Sequence, residues 1–385
     1  MITQIASPSG TPSVHDNMWH IVASDNSGTT DFKYVFDIWI DGVQKIRVKQ
    51  FPEPQNGKAY FDAGPTVRNE MEYDWFEPIN SSVLVAQPNM QGQAGIVYAL
   101  RIGEEVSGTT TLNMASGQVS GYNWAPPLFK RREITLTTKA NKWLTNRPVT
   151  NFKTKIGENL FAGFYITPGV SSVDFKVEKF NGSNTSQGVT TTAISVTGQF
   201  LQLNIGTTAI QATTGVLIDE FTKYYDVWIN SLEKVRVYIK CNPKYTPYPV
   251  HFLNRWGMWD TQRFDLVSKL EMKIDRKGFG QRDYRFGATS VDYHSSANRY
   301  YEGKIDYSNK ANWNYKLTAD AMTDSEYEWM ADLIHSPQIL VEIDSYFYPV
   351  TIKQNDFEYR KIVNDKLKPL EVEFEFNSER YTQLR

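Results

Sequence analysis

Apolar and polar residues alternate along most of this chain with the period of two that a half-buried strand requires. The stretch "YVFDIWIDGVQKIRV" (34–48) alternates on both sides of Asp41-Gly42. Both turn residues accept positive φ, so the stretch predicts a tight β-hairpin. The same period runs through "VDFKVEKF" (173–180), "GQFLQLNIG" (198–206), "ILVEIDSYFYPVTI" (339–352) and "PLEVEFEF" (369–376). One segment departs from it, "TDSEYEWMADLIHSP" (323–337). There Thr323 and Glu326 have capping-box spacing, Tyr327, Met330, Ala331 and Ile334 fall at i, i+3, i+4, i+7, and Pro337 closes the segment. This predicts one amphipathic helix over 324–335, packed on a β domain.

The first hairpin has an echo. Residues 37–48, "DIWIDGVQKIRV", align without gaps to 226–237, "DVWINSLEKVRV", with six of twelve positions identical and five conservatively changed. In both copies Asp, Trp, Lys and Arg stand where a hairpin makes them cross-strand neighbours, and Asn230-Ser231 replaces Asp41-Gly42 at the turn. The repeat predicts two related β-sandwich modules. Between them, the Thr-, Ser-, Gly- and Gln-rich stretch 181–215 alternates too regularly for disorder and is read as strands with polar outer faces joined by loops. Proline clusters in "WAPPLFKRRE" (124–133) and "NPKYTPYPV" (242–250) suggest boundaries. The expected architecture is therefore all-β and multi-domain: a sandwich module at 1–127, a second at 128–245, and a C-terminal β domain at 246–385 that holds the helix.

Composition narrows the functional classes. The 385 residues are 41% hydrophobic and 14% aromatic, which suits strands and contact surfaces. Lys plus Arg number 41 against 43 Asp plus Glu, so no global field draws the chain to nucleic acid or anionic lipid. A single cysteine, Cys241, excludes an internal disulfide framework and a multi-cysteine zinc site. The opening "MITQIASPSGTPSV" lacks the basic and apolar runs of a signal peptide, and no window has the apolar length of a membrane span, so the chain is expected to be made soluble in the cytoplasm.

Candidate chemistry is sparse. His15, His20, His251, His294 and His335 form no H-x-H or H-E-x-x-H pattern, and no metal or other cofactor is expected. Cys241, in "IKCNPK", has no sequence signature for a paired base and reads as structural. Nucleophile-elbow, phosphate-loop and calcium-loop patterns are absent. Glu371, Glu373 and Glu375 share one strand face, but nothing about an exposed carboxylate row raises a pKa, so a solvated sheet face is the reading rather than a glycosidase pair. The segment "DRKGFGQRDYRFG" (275–287) interleaves Arg276, Arg282 and Arg285 with aromatics. It resembles a nucleic-acid surface, but Asp275, Asp283 and the neutral chain argue against that in favour of an intersubunit or strand-edge loop.

The densest apolar stretch is "HFLNRWGMWD" (251–260), with Phe252, Trp256, Met258 and Trp259 around Gly257. Two readings compete. The rings stack on sugars, with His251 and Asp260 donating and accepting hydrogen bonds, or they anchor a core or subunit contact at a sharp corner that Gly257 permits. The second is preferred, and Trp39 and Trp228 of the repeated hairpins are placed in the same class of anchor.

Several segments together resemble virion structural proteins of tailed phages infecting Bacteroidota, including crAss-like phages and marine relatives: "FKYVFDIWIDG", "HFLNRWGMWDTQRF", "TDSEYEWMADLIHSPQIL" and "YFYPVTIKQNDFEYRKIVNDKLKPLEVEFEF". The closing order of helix, Ser-Pro, strand and a strand ending in "LEVEFEF" is similar to that of tail-associated and hub proteins. The resemblance implies a non-enzymatic virion component at the tail, the tail hub or the head-to-tail connection. It also implies assembly with other copies of itself, as a ring or other homo-oligomer, and with other virion proteins. The alternative is a receptor- or carbohydrate-binding adhesin module that recognises a host surface glycan.

Overall fold

The computed structural model describes residues 1–72, 82–88, 92–125, 136–240, 244–280, 284–286, 289, 291–293, 304–353, 369–376 and 380–381. The chain is all-β and multi-domain, with about 52% of the described residues in strands and 9% in helices. Contacts divide it into two compact units, one of residues 1–242, 251–262 and 329–337, the other of 243–250, 263–328 and 338–385.

The first unit begins with strands β1 (Ile2–Ala6), β2 (Trp19–Ser24), β3 (Lys33–Ile40), β4 (Val43–Gln50), β5 (Ala59–Asp62), β6 (Leu84–Ala86), β7 (Gly95–Val106) and β8 (Thr109–Tyr122), with the short helix α1 (Gly64–Asn69) after β5. A three-stranded sheet, β1-β2-β5, faces a four-stranded sheet, β4-β3-β7-β8. Their inner side chains, Val22 and Phe61 from one and Tyr34, Phe36, Ile38, Tyr98 and Leu100 from the other, belong to one hydrophobic cluster. This is a β-sandwich, and alternation fills it because every second side chain of a strand points inward.

A second sandwich follows in the same unit, from β9 (Lys142–Trp143), β10 (Phe152–Thr154), β11 (Phe161–Tyr165), β12 (Ser172–Asn181), β13 (Ser186–Ser195), β14 (Phe200–Asn204), helix α2 (Thr207–Thr214), β15 (Thr222–Ile229) and β16 (Val235–Ile239). Sheet β10-β16-β15-β12-β13 packs on sheet β6-β14-β11-β9. Phe175, Tyr225, Val227 and Val237 of the first meet Trp143, Phe164, Leu201 and Leu203 of the second. Strand β6 joins this second sandwich although it lies early in the chain, by pairing with β14. Helix α2 falls inside the stretch read from sequence as strands and loops. Gly206 precedes it in extended conformation, Gly215 ends it at φ 72°, and burial of Ala209 and Ile210 outweighs the weak helix preference of its threonines.

Each sandwich holds one of the repeated hairpins, β3–β4 with β4 at a sheet edge and β15–β16 with β16 also paired to β10. Asp37 lies directly opposite Arg47, and Asp226 directly opposite Arg236. Both pairs are bidentate, at 2.7 and 2.6 Å in the first and 2.8 and 2.9 Å in the second. Each tryptophan stacks with a cation, Trp39 under Arg101 at 3.8 Å and Trp228 under Lys234 at 4.0 Å. Each lysine reaches a carboxylate outside its own hairpin, Lys45 to Glu70 and Lys234 to Glu178. The turns differ as the residues require. Asp41 and Gly42 both take positive φ in a two-residue turn, whereas at the second turn Asn230 does, its φ being 54°.

The chain then forms β17 (Tyr248–Leu253) and β18 (Trp259–Phe264), whose 251–262 portion belongs to the first unit. The second unit adds β19 (Lys269–Gly280), β20 (Tyr284–Phe286), β21 (Val291–Tyr293), β22 (Lys304–Thr318), β23 (Ile339–Ile343), β24 (Tyr346–Ile352), β25 (Glu371–Phe376) and β26 (Arg380–Tyr381), while helix α3 (Asp324–Ile334) is divided, its residues from Trp329 onward belonging to the first unit. Its antiparallel sheet runs β23-β24-β25-β22-β19, with β26 also on β22. The capping box of α3 is made: Thr323 N donates to Glu326 Oε2 at 2.9 Å, and Glu326 N to Thr323 Oγ1 at 3.4 Å. Of the expected stripe, Met330 and Ala331 are buried and Tyr327 and Ile334 half-buried, and the buried face is rotated to take in Glu326, Trp329, Asp332 and Leu333 as well. The turn follows Trp329, the largest side chain of the helix, to the inside.

Asp226 is 4% exposed, so its charge depends on Arg236 for compensation. Arg236→Met is expected to cost about 2 kcal/mol in urea unfolding, a figure reduced because the outer part of the guanidinium meets water. Adding Asp226→Leu recovers most of the loss. Equal destabilisation of the single and double variants would contradict this account of the pair.

Candidate functional site

The conspicuous stretch 251–260 turns a corner inside the first unit, and nine of its ten residues are buried, Arg255 being half-buried. Asn254 makes the corner. Its carboxamide Oδ1 accepts from the backbone amides of Trp256 at 2.9 Å and Met258 at 3.2 Å, and its Nδ2 donates to the Leu144 carbonyl at 2.8 Å. Gly257 takes φ 75°, and a Cβ there would stand 2.7 Å from the Asn123 carbonyl oxygen. Gln93 Nε2 donates to the Gly257 carbonyl at 3.0 Å. The backbone amides and carbonyls of a buried turn need such partners, because water cannot reach them.

Each aromatic of the corner has a defined place. Trp256 is 1% exposed and stacks on Trp124 at 5.8 Å, with its Nε1 donating to Asn146 Oδ1. Met258 lies over Gly163 on β11, where a Cβ would come within 2.3 Å of the Met258 Cγ. Both backbone groups of Trp259 are taken by the Gln202 side chain, at 2.8 and 3.1 Å. Phe252 packs on Trp329 at 5.5 Å. Trp256 and Met258 share a cluster with Ala94 and Trp124, which come from the first sandwich or its exit, and with Leu144, Tyr165 and Phe200 of the second. The stretch is thus a stitch between two sandwiches of one unit. Buried this way, Trp256 and Trp259 present no ring face on which a sugar could stack.

A polar network surrounds the stitch. Asp260 Oδ2 accepts from Thr145 Oγ1 at 2.7 Å and Trp329 Nε1 at 2.9 Å. Burial pushes its carboxyl up to about 7, and the hydrogen bonds from Thr145 and Trp329 oppose that shift without cancelling it. Asp332 is also raised by burial, against the pull of Arg255, whose Nε donates to it at 2.6 Å. Burial lowers Lys139, whose Nζ sits 5.3 Å over the Trp256 ring. His251 is wedged between Phe161, at 5.0 Å, and Thr261 Oγ1, at 2.9 Å. His20, at a separate place between Gln4 and Tyr98 of the first sandwich, is held down to about 4 by burial. A perturbed carboxyl next to hydrogen-bond donors is the arrangement from which acid–base chemistry is built. Here Asp260 is 1% exposed, and Thr145 and Trp329 both donate to its Oδ2. Sequence periodicity did not point to Thr145, Asn146, Gln202 or Asp332, each of which meets the stitch from a segment distant in the chain.

The remaining singled-out residues lie elsewhere. Trp39 and Trp228 belong to the repeated hairpins, and Trp228 is 7% exposed. Arg276 is exposed on β19, so this part of 275–287 is strand rather than loop, because the alternation of Leu270, Met272 and Ile274 carries the pairing with β22 through Gly280. Arg285 lies on β20, which pairs with β21. Arg282, Cys241 and His294 fall outside the described residues. Among the described residues no group of three or more His, Cys, Asp or Glu is placed to hold a metal ion, and no helix is long and apolar enough to cross a membrane. Glu373 and Glu375 face Lys353, at 3.9 and 3.2 Å, on the charged side of their strand. The chain matches no known protein family and no curated protein.

Two outcomes test the stitch. Gly163→Ala forces Met258 off the strand and is expected to cost about 2 kcal/mol in chemical unfolding; no loss would contradict the packing described. The second test is pH. Between about pH 4 and 7 the folded chain keeps a proton on Asp260 that the unfolded chain has released, so this group's contribution to stability falls as pH rises through the window and is level above it. His20 works in the opposite sense: neutral in the fold and protonated in the unfolded chain below 6.5, it makes stability rise with pH from about 4 to 6.5. The stability of Asp260→Asn minus that of the native chain therefore grows by on the order of 2–4 kcal/mol from pH 4 to 7. A difference independent of pH would contradict the assignment.

Proposed function

We propose that this chain is a non-enzymatic component of a bacteriophage virion, at the tail, the tail hub or the head-to-tail connection, where it acts by making oligomeric contacts. The observation that carries the reading is strand β19. It ends its sheet, pairing with β22 on one side only among the described residues. Eleven of its twelve residues are exposed. Leu270, Met272 and Ile274 alternate along it at 50, 47 and 42% exposure. A long strand with an open edge and an apolar face is what a protein made for assembly presents, and what a monomer avoids. Support also comes from the quoted segments that resemble tail-associated proteins.

The reading as a glycan-binding module rests on Trp256 and Trp259 and on the Thr- and Asn-rich stretch 181–215; with both tryptophans 1% exposed, it loses the first of these supports and keeps the second. The test is quantitative mass spectrometry of phage particles purified by density gradient from a lysate of the host in which this gene is expressed. The chain is expected in multiple copies per particle, retained when heads are separated from tails in the tail or connector fraction. Its presence in the lysate but absence from purified particles would overturn the reading.

A further inference from the structure

The charges on β19 follow a pattern that its position in the sheet makes consequential. The residues facing away from Leu270, Met272 and Ile274 are Lys269, Glu271, Lys273, Asp275 and Lys277, strictly alternating in sign. Lys316 lies 3.6 Å from Glu271 and Glu373 lies 3.9 Å from Lys273, yet Glu271 and Lys273 keep 43 and 62% side-chain exposure. The strand is regular from Lys269 to Lys277, where a register shift against β22 interrupts it.

A strand with a free edge pairs with an antiparallel copy of itself about a two-fold axis, so the possible registers can be enumerated. With the axis through Met272, Lys269 faces Asp275 of the other copy, Glu271 faces Lys273, Leu270 faces Ile274 and Met272 faces Met272. Each of these matches is made twice across the axis except the central methionine pair. With the axis one residue along, through Lys273, every charged pair becomes repulsive: Lys273 on Lys273, Glu271 on Asp275, Lys269 on Lys277. With the axis through Ile274 the charges match again, but Arg276 falls on Met272 and Gly278 on Leu270, which leaves Ile274 on Ile274 as the one apolar pair. Opposite charges across a strand pair stabilise it and like charges destabilise it, so of these three registers the one about Met272 is favoured.

We propose that β19 is a homotypic interface, joining a second copy of this chain edge to edge in antiparallel register about Met272, so that the two sheets become one. The proposal rests on the assembly reading above and names the partner that the open edge takes.

The experiment uses the full chain with Cys241→Ser as background. Facing residues of an antiparallel pair have Cα atoms about 4.5–5.5 Å apart, within disulfide reach. Met272→Cys is therefore expected to give a covalent dimer on mild oxidation. Leu270→Cys, on the same face but about 13 Å from its own copy in this register, is expected to give none. In sedimentation equilibrium, Asp275→Lys is expected to weaken dimerisation at least about tenfold, and adding Lys269→Glu to restore it. Cross-linking as efficient at Leu270 as at Met272, or dimerisation indifferent to Asp275→Lys, would overturn the register and leave the virion reading standing. A chain that is monomeric alone and protected along β19 only inside particles would overturn the two-copy proposal and assign the edge to a different virion protein. Absence of the chain from particles would overturn the virion reading, while a Met272 cross-link would still uphold this one.

Discussion

A backbone that turns a corner inside a protein core must find a partner for the amides and carbonyls it takes away from water, and the architecture of the first unit is built around one such corner. At Asn254–Trp259 those partners are side chains recruited from far along the chain. Asn254 closes the turn on itself and reaches Leu144, Gln93 holds Gly257, and Gln202 holds both backbone groups of Trp259. Because these partners come from both sandwiches or the chain just outside them, satisfying the corner also ties the sandwiches together. The apolar side chains complete the tie, with Trp256 on Trp124 and Met258 in the space that Gly163 leaves open. The gain from burying these large side chains depends on the polar groups being matched, since an unmatched buried amide would offset much of it.

The duplicated hairpins solve a related problem in the same way twice. A carboxylate placed on a central strand is tolerable only with a fixed donor, and the directly opposite arginine supplies a planar fork that matches it. The pair fixes register as well as charge, because a slip of one residue would bury Asp37 or Asp226 without its arginine. Twelve residues that carry Asp, Trp, Lys and Arg at constant spacing therefore carry a tertiary instruction, and the two sandwiches obey it with similar geometry despite different turns.

Much of the fold was legible because its signals are local. The Asp41-Gly42 hairpin, the strands at 173–180, 198–206, 339–352 and 369–376, and the capping box at Thr323 and Glu326 all depend on residues within a few positions of one another. What was not legible depends on distant partners. Helix α2 forms in a threonine-rich run because burial of Ala209 and Ile210 decides the matter. The buried face of α3 is set by Trp329 meeting Asp260 and Phe252. The pairing of β6 with β14 could not be read from a three-residue strand. The apolar weight of 251–260 was plain in the sequence, but whether it faced inward or outward was decided by Asn254, Gly163 and Gln202, none of which carries a pattern that announces the role.

The chain's unusual apolar segments divide into one buried except at Arg255, 251–262, and one exposed along an edge open among the described residues, 269–277. Hydrogen–deuterium exchange read by mass spectrometry at low and high protein concentration tests this division directly. The account predicts that amides of 254–262 are among the slowest in the chain at either concentration, while those of 269–277 exchange quickly when dilute and slow down as concentration rises. Fast exchange at 254–262, or a β19 edge already protected in dilute chain and unchanged on concentration, would contradict it.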